Sequence, residues 1–206
     1  MKASIAINLV WEIAAQEAIA SQFGEISLEH FFMGLLKLSE LNPDRVKQIV
    51  DDDSDALIIN SEIAQIKQYL NDAKINSTTA RRNLRNLVGK GDNPYNGEVL
   101  HRSLESRLIF ENAQEIAQSE NSPHLLCLHL QKAILSNPSD AIKSVLPAAF
   151  KLKKGKDTPK KPEAVPRTDP RMMLNATPNK PTVEEIWPPT RMRANISRPR
   201  PSAPST

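Results

Sequence analysis

Four histidines (His30, His101, His124 and His129), one cysteine (Cys127) and the acidic run Asp51-Asp52-Asp53-Ser54-Asp55 carry the metal and nucleophile chemistry within reach of this sequence. Their spacing argues against using it. On a helix, His124 and His129 point about 140° apart, so they cannot hold one ion from one face. The acidic run lacks the sixth-position glycine and the closing bidentate glutamate of a calcium loop. It reads as a solvated turn after a helix. Cys127 sits inside an apolar run and is expected to be a buried, inert thiol. The stretch VGKGDN (88–93) lacks the spacing and the following hydroxyl residue of a phosphate-binding loop. No catalytic group, metal or cofactor is expected.

The elements that would position these side chains fall in one part of the chain. Of 206 residues, 39% are hydrophobic but only 4% aromatic, so the core has to be aliphatic. Residues 1–150 hold 14 Lys and Arg against 19 Asp and Glu, a net −5; residues 151–206 hold 13 against 5, a net +8. Eleven of the 16 prolines also fall after residue 150, a density that stops helices and sheets from propagating. Residues 1–150 are therefore expected to fold, and 151–206 to form a disordered, basic, proline-rich tail. No stretch approaches the roughly 18 apolar residues of a membrane span. The first twenty residues carry Glu12 and Glu17 and lack the apolar core of a signal peptide. With a single cysteine no intrachain disulfide can form, which suits a reducing, cytoplasmic setting.

Apolar spacings of three and four predict helices throughout the folded part. The first carries Ile7, Val10, Trp11, Ala14, Ala18 and Ile19, with Ser4 as N-cap and Gly24 as a left-handed end. Ser27 caps a second, whose Leu28, Phe31, Phe32, Leu35, Leu36 and Leu38 suit a central helix packed on more than one face. Asn42-Pro43-Asp44 starts a short third helix. A fourth runs through 61–73 on Ile63, Ile66, Tyr69 and Leu70. Residues 76–99 read as a polar connector with one helical turn near 84–88. The pattern then restarts: Ser103 caps a helix with Leu104, Leu108, Ala113 and Ala117, Ser122-Pro123 opens the next, and Ser139 caps a last one ending before Pro147. No strand pattern is visible.

The restart is a repeat. Ser4, Ala14 and Ala18 match Ser103, Ala113 and Ala117 at one offset, and His30 is matched to His124 across a second connector five residues shorter. Repeat one spans about 4–75 and repeat two about 100–147. Each copy is too small for its own core, which predicts an all-α, compact, pseudo-two-fold bundle of two helical repeats. Leu35 and Leu126 are both expected in that core.

The stretch AAQEAIASQFGEISLEHFFMGLLKL (14–38) resembles the repeat in the N-terminal domain of the Clp/Hsp100 unfoldases, with Glu29-His30 at the start of its second helix. His124-Leu125-Leu126 stands at the matching place in the second copy, with Pro123 in the glutamate's position. The resemblance implies an all-α domain that binds substrates and adaptors for an ATPase ring. Without a phosphate loop the chain is not itself the motor, and a free-standing adaptor or accessory subunit of a Clp-type unfoldase or protease is expected. In some relatives a hydroxyl residue at the first helix start and the glutamate before the histidine hold a phosphorylated arginine. Ser4 and Glu29 match that pair, with Ser27 at the adjoining helix end, and Pro123 would leave repeat two silent. Two features of the tail add to this. The run 151–162 (KLKKGKDTPKKP) suits an acidic partner or, as a nucleic-acid-associated scaffold, a phosphate backbone. TVEEIWPPTRMR (182–193) offers Ile186 and Trp187 as anchors for a partner's pocket.

Overall fold

The computed structural model describes residues 1–147; the basic tail, with Ile186 and Trp187, lies outside the described residues. Eight helices dominate the described part. Helix α1 (Ile5–Ala20) starts where the Ser4 hydroxyl accepts the Ile7 N–H at 3.3 Å, and buries Ala6, Ile7, Val10, Ala14 and Ala18. Helix α2 (Leu28–Ser39) is buried on nearly every side through Phe31, Phe32, Met33, Leu35, Leu36 and Leu38, and forms the centre of the core. The two helices cross so closely that a Cβ added to Gly34 would stand 2.9 Å from the Val10 carbonyl oxygen. The small residue that admits the neighbouring helix is therefore Gly34 itself.

Helix α3 (Pro43–Ile49) is capped by Asn42, whose Oδ1 accepts the Arg45 N–H at 2.8 Å. Helix α4 (Asp53–Asp72) begins earlier than its apolar pattern suggests. Asp52 Oδ1 accepts the Ser54 N–H at 2.8 Å, and Asp53 and Asp55 occupy the first turn, where carboxylates oppose the helix dipole. The acidic run thus starts a helix instead of forming a turn. Helix α5 (Ser77–Val88) replaces most of the expected connector. It buries only Ala80 and Leu84, too sparse a stripe to read. Its polar side supplies the rest: Arg81 Nη2 meets Glu40 Oε2 at 2.8 Å, and Arg85 grips Glu17 with Nη2 to Oε1 at 2.6 Å and Nε to Oε2 at 3.2 Å.

Helix α6 (Leu104–Ser119) is capped by Ser103 and packs against α7 (Cys127–Ser136); α8 (Asp140–Val145) follows on its Ser139 cap. Four two-residue strands also form: β1 (Lys2–Ala3), β2 (Glu25–Ile26), β3 (His101–Arg102) and β4 (His124–Leu125). Segments this short cannot express an alternating pattern, which is why none was visible. The pairing is parallel and reciprocal: Lys2 with His124 and Ala3 with Leu125, Glu25 with His101 and Ile26 with Arg102. The ladders continue into the caps, Ser4 N donating to Leu125 O at 3.0 Å and Ser103 N to Ile26 O at 3.1 Å.

The elements from β1 to the start of α2 recur, from β3 to the start of α7, at a constant interval of 99 residues. That interval corrects the expected alignment. The connectors 21–27 and 120–126 have equal length, and His30 corresponds to His129, not His124. Pro123 is not the counterpart of Glu29; Leu128 is. Helix α7 opens at Cys127 instead of Ser122, because 124–125 is spent on β4. Each connector turns through a left-handed residue, Gln22 at φ 59° and Asn121 at φ 53°, not through Gly24. The N–H of the next residue then reaches back into the helix, Phe23 to Ala18 O and Ser122 to Ala117 O, both at 2.9 Å, which satisfies the last turn without glycine. Leu35 lies in the core as expected, but Leu126 is only half-buried: it is the N-cap residue of α7, and the counterpart of Leu35 is the fully buried Ile134.

Candidate functional site

The start of α2 gathers three polar side chains, Ser27 and Glu29 half-buried and His30 buried beneath them. Ser27 precedes the helix and Glu29 lies in its first turn. The Ser27 hydroxyl donates to Glu29 Oε2 at 2.7 Å, and its backbone N–H donates to His30 Nδ1 at 3.0 Å. Burial pushes the Glu29 carboxyl upward, but the hydroxyls of Ser139 and Ser27, its own backbone N–H and the neighbouring His30 outweigh it and hold the group below the usual carboxylate range. Glu29 is thus a fixed, ionised, half-buried acceptor.

Strand pairing decides what stands beside it. Ile26, one residue before Ser27, is bonded to the backbone and hydroxyl chemistry at the start of α6: Ser103 N and Ser106 Oγ both donate to its carbonyl. Glu105 follows in that first turn, and burial together with the charge of Glu29 raises its carboxyl above the usual range. The structure therefore brings Ser27 and Glu29 together with Ser103 and Glu105. Ser4 is seated elsewhere. It is buried, its hydroxyl caps α1, and its N–H is bonded to Leu125 at the start of α7. There the places of Ser27 and Glu29 are taken by Leu126 and Leu128, so the start of α7 has no carboxylate of its own in its first turn. The expected pairing of Ser4 with Glu29 is replaced by one of Ser103 with Glu29, because each strand crosses to the other half.

Leu104 and Leu108, one turn apart on α6, are 74% and 52% exposed, and Val99 just before β3 is 65% exposed. Sequence periodicity put both leucines among the packing positions. The inner face is instead Ser106, Ile109, Phe110, Ala113 and Ala117, a stripe that Ala113 and Ala117 alone already defined. Glu105, next to Leu104 in sequence, is also exposed and lies to one side of the two leucines.

The remaining reactive groups are enclosed. Cys127 is fully buried, and burial and the Glu62 carboxylate push its thiol well above the usual range. Glu62, on α4 and itself buried, accepts the Cys127 N–H through Oε2 at 2.7 Å and so caps α7 from outside the helix. Nothing in the sequence announced that role, since Leu126, the N-cap residue, has no acceptor of its own. Among the described residues no group of three or more His, Cys, Asp or Glu is placed to hold a metal ion, and no helix is long and apolar enough to cross a membrane.

No family model matches this sequence, and no match was found among curated proteins.

Proposed function

We propose that this chain is a non-catalytic protein-interaction module of two helical repeats, similar to the N-terminal domain of the Clp/Hsp100 unfoldases. It binds an apolar, basic-flanked stretch of a partner protein as an adaptor or accessory subunit of a Clp-type unfoldase or protease. The reciprocal strand pairs and the 99-residue recurrence support the two-repeat reading. The observation that carries the binding reading is the outward pair Leu104 and Leu108, beside the carboxylates of Glu29 and Glu105. Neither glutamate pairs with a Lys or Arg among the described residues. A guanidinium or ammonium arriving with an apolar segment would relieve the repulsion between them while the leucines lose contact with water.

The test is fluorescence anisotropy with a labelled leucine-rich peptide flanked by arginines, and a second flanked by glutamates. Wild type should prefer the first. The double variant Leu104→Ser/Leu108→Ser should bind at least tenfold more weakly while melting as wild type does, because both side chains already face solvent. If wild type binds neither peptide, or the variant binds equally well, the reading fails.

A further inference from the structure

Two buried histidines do the same task at equivalent places. His30 Nδ1 accepts the Ser27 N–H and His129 Nδ1 accepts the Leu126 N–H, each at 3.0 Å. Each ring sits at the third position of its helix and reaches back to the residue that precedes the helix. Each of those helices directly follows a strand that pairs with the other half, β2 before α2 and β4 before α7.

We propose that these two histidines form a paired, acid-sensitive latch: protonation of both rings releases the first turns of α2 and α7, and with them the two strand pairs that join the halves. An Nδ1 that accepts must be bare, so each ring carries its proton on Nε2. An imidazolium has two donors and no acceptor. Protonation therefore removes the acceptor and turns a second N–H toward the first.

At His30 the Ser27 Oγ also lies 3.0 Å from Nδ1, but a ring N–H turned to it would still leave the Ser27 backbone N–H without its acceptor. His30 is fully buried, packed edge-on against Phe23 with centroids 5.1 Å apart, and its Nε2 has no hydrogen-bond partner. Glu17 of α1 and Glu29 of α2 face it, but Glu17 is held by Arg85 of α5 and Glu29 by Ser27 and Ser139. His129 Nε2 lies 3.4 Å from Glu120 Oε2, whose other oxygen is bound by Lys132 at 2.6 Å; the buried Glu62 of α4 also faces the ring. Burial is the largest influence at both rings, and both titrate below the usual histidine value despite these carboxylates.

The sign follows. With the folded value below the unfolded value of about 6.5, the unfolded chain binds more protons as pH falls. Stability is full above about pH 6.5 and is lost progressively below it. The ceiling, for acidification to about pH 5, is an increase of about thirtyfold in the unfolding constant per histidine.

The test uses the full chain. Glutamine at a third helix position can return the same acceptor without titrating, so His30→Gln/His129→Gln should keep its stability between pH 7.5 and pH 5 where wild type loses it. Equal loss in both would overturn the proposal. Should the double variant not fold, nitrogen NMR of the wild-type rings decides: both Nδ1 atoms should read as unprotonated at pH 7.5. The Ser27 and Leu126 amide signals should shift over the same pH range in which the rings charge. Rings that titrate without moving those amides, or an Nδ1 already protonated at pH 7.5, would overturn it equally.

Discussion

Trp11 packs against Phe110, the residue that holds its own place 99 positions later, with ring centroids 5.5 Å apart. Phe31 of the central helix closes a triangle with them, 5.4 Å from Trp11 and 4.9 Å from Phe110, and the Arg102 guanidinium lies over both Trp11 and Phe110. Few aromatic residues exist in this chain, and three of them meet where the halves face one another. Phe110→Ala should cost about 3–5 kcal/mol in urea unfolding. A double-mutant cycle with Trp11→Ala should return a coupling of about 0.5–1.5 kcal/mol. A coupling of zero would mean that the contact across the halves contributes only area.

Gln131 is a buried amide within the core. It is 1% exposed, and neither its Nε2 nor its Oε1 has a hydrogen-bond partner. The corresponding residue in the first half is Phe32, fully buried and apolar. Gln131→Leu removes two unsatisfied polar groups at nearly constant length, so it should raise stability by about 1–2 kcal/mol. A loss in chemical denaturation would show that the amide is satisfied in solution.

Gly34→Ala should destabilise despite alanine's better helix propensity. The propensity gain is about 1 kcal/mol. The added methyl group would meet Val10 backbone oxygen at 2.9 Å and Val10 Cγ1 at 3.3 Å. Backbone cannot swing aside as a side-chain tip can, and overpacking of this kind costs about 1–3 kcal/mol. A net loss of about 0–2 kcal/mol is expected by thermal melt, and a raised melting temperature would mean that α1 shifts away from α2 to admit the methyl group.

If the module takes phosphorylated arginine, the residues that matter are those at the start of α6 and α2. Glu29→Gln and Ser103→Ala should both weaken an Arg-phosphorylated peptide, each by about tenfold, the scale of one charge-assisted hydrogen bond. Ser4→Ala should not, since Ser4 stands at the end where Leu126 and Leu128 replace Ser27 and Glu29. Calorimetric titration distinguishes the three, and equal weakening by Ser4→Ala would place the anion at the other end.

Much of the fold was legible because its punctuation is local. Ser4, Asn42, Ser103 and Ser139 each bond an N–H within their own helix, so each start could be read from a few residues. What was missed depends on distant partners. α5 is held by Arg81 to Glu40 and Arg85 to Glu17, pairs that sequence spacing does not reveal. The second histidine was misassigned because Leu126 and Leu128 stand where Ser27 and Glu29 would have marked the match, while Pro123-His124 imitates it nearby. The expected site joined Ser4 to Glu29 within one half. Only the crossing of the strands shows that each helix start is completed by the other half.

That crossing has a consequence for synthesis. Lys2 and Ala3 are synthesised before their partners, His124 and Leu125, which lie more than a hundred residues later. Until those emerge, the N-terminal strand has an unmatched edge and the Ser4 N–H lacks its acceptor. Such distant closures are slow, since the loop entropy must be met before the contact forms. Until then the first half presents an unpaired strand edge, which the second half of another chain can also fill. An exchange of halves between two chains would keep every strand pair while making none within a single molecule.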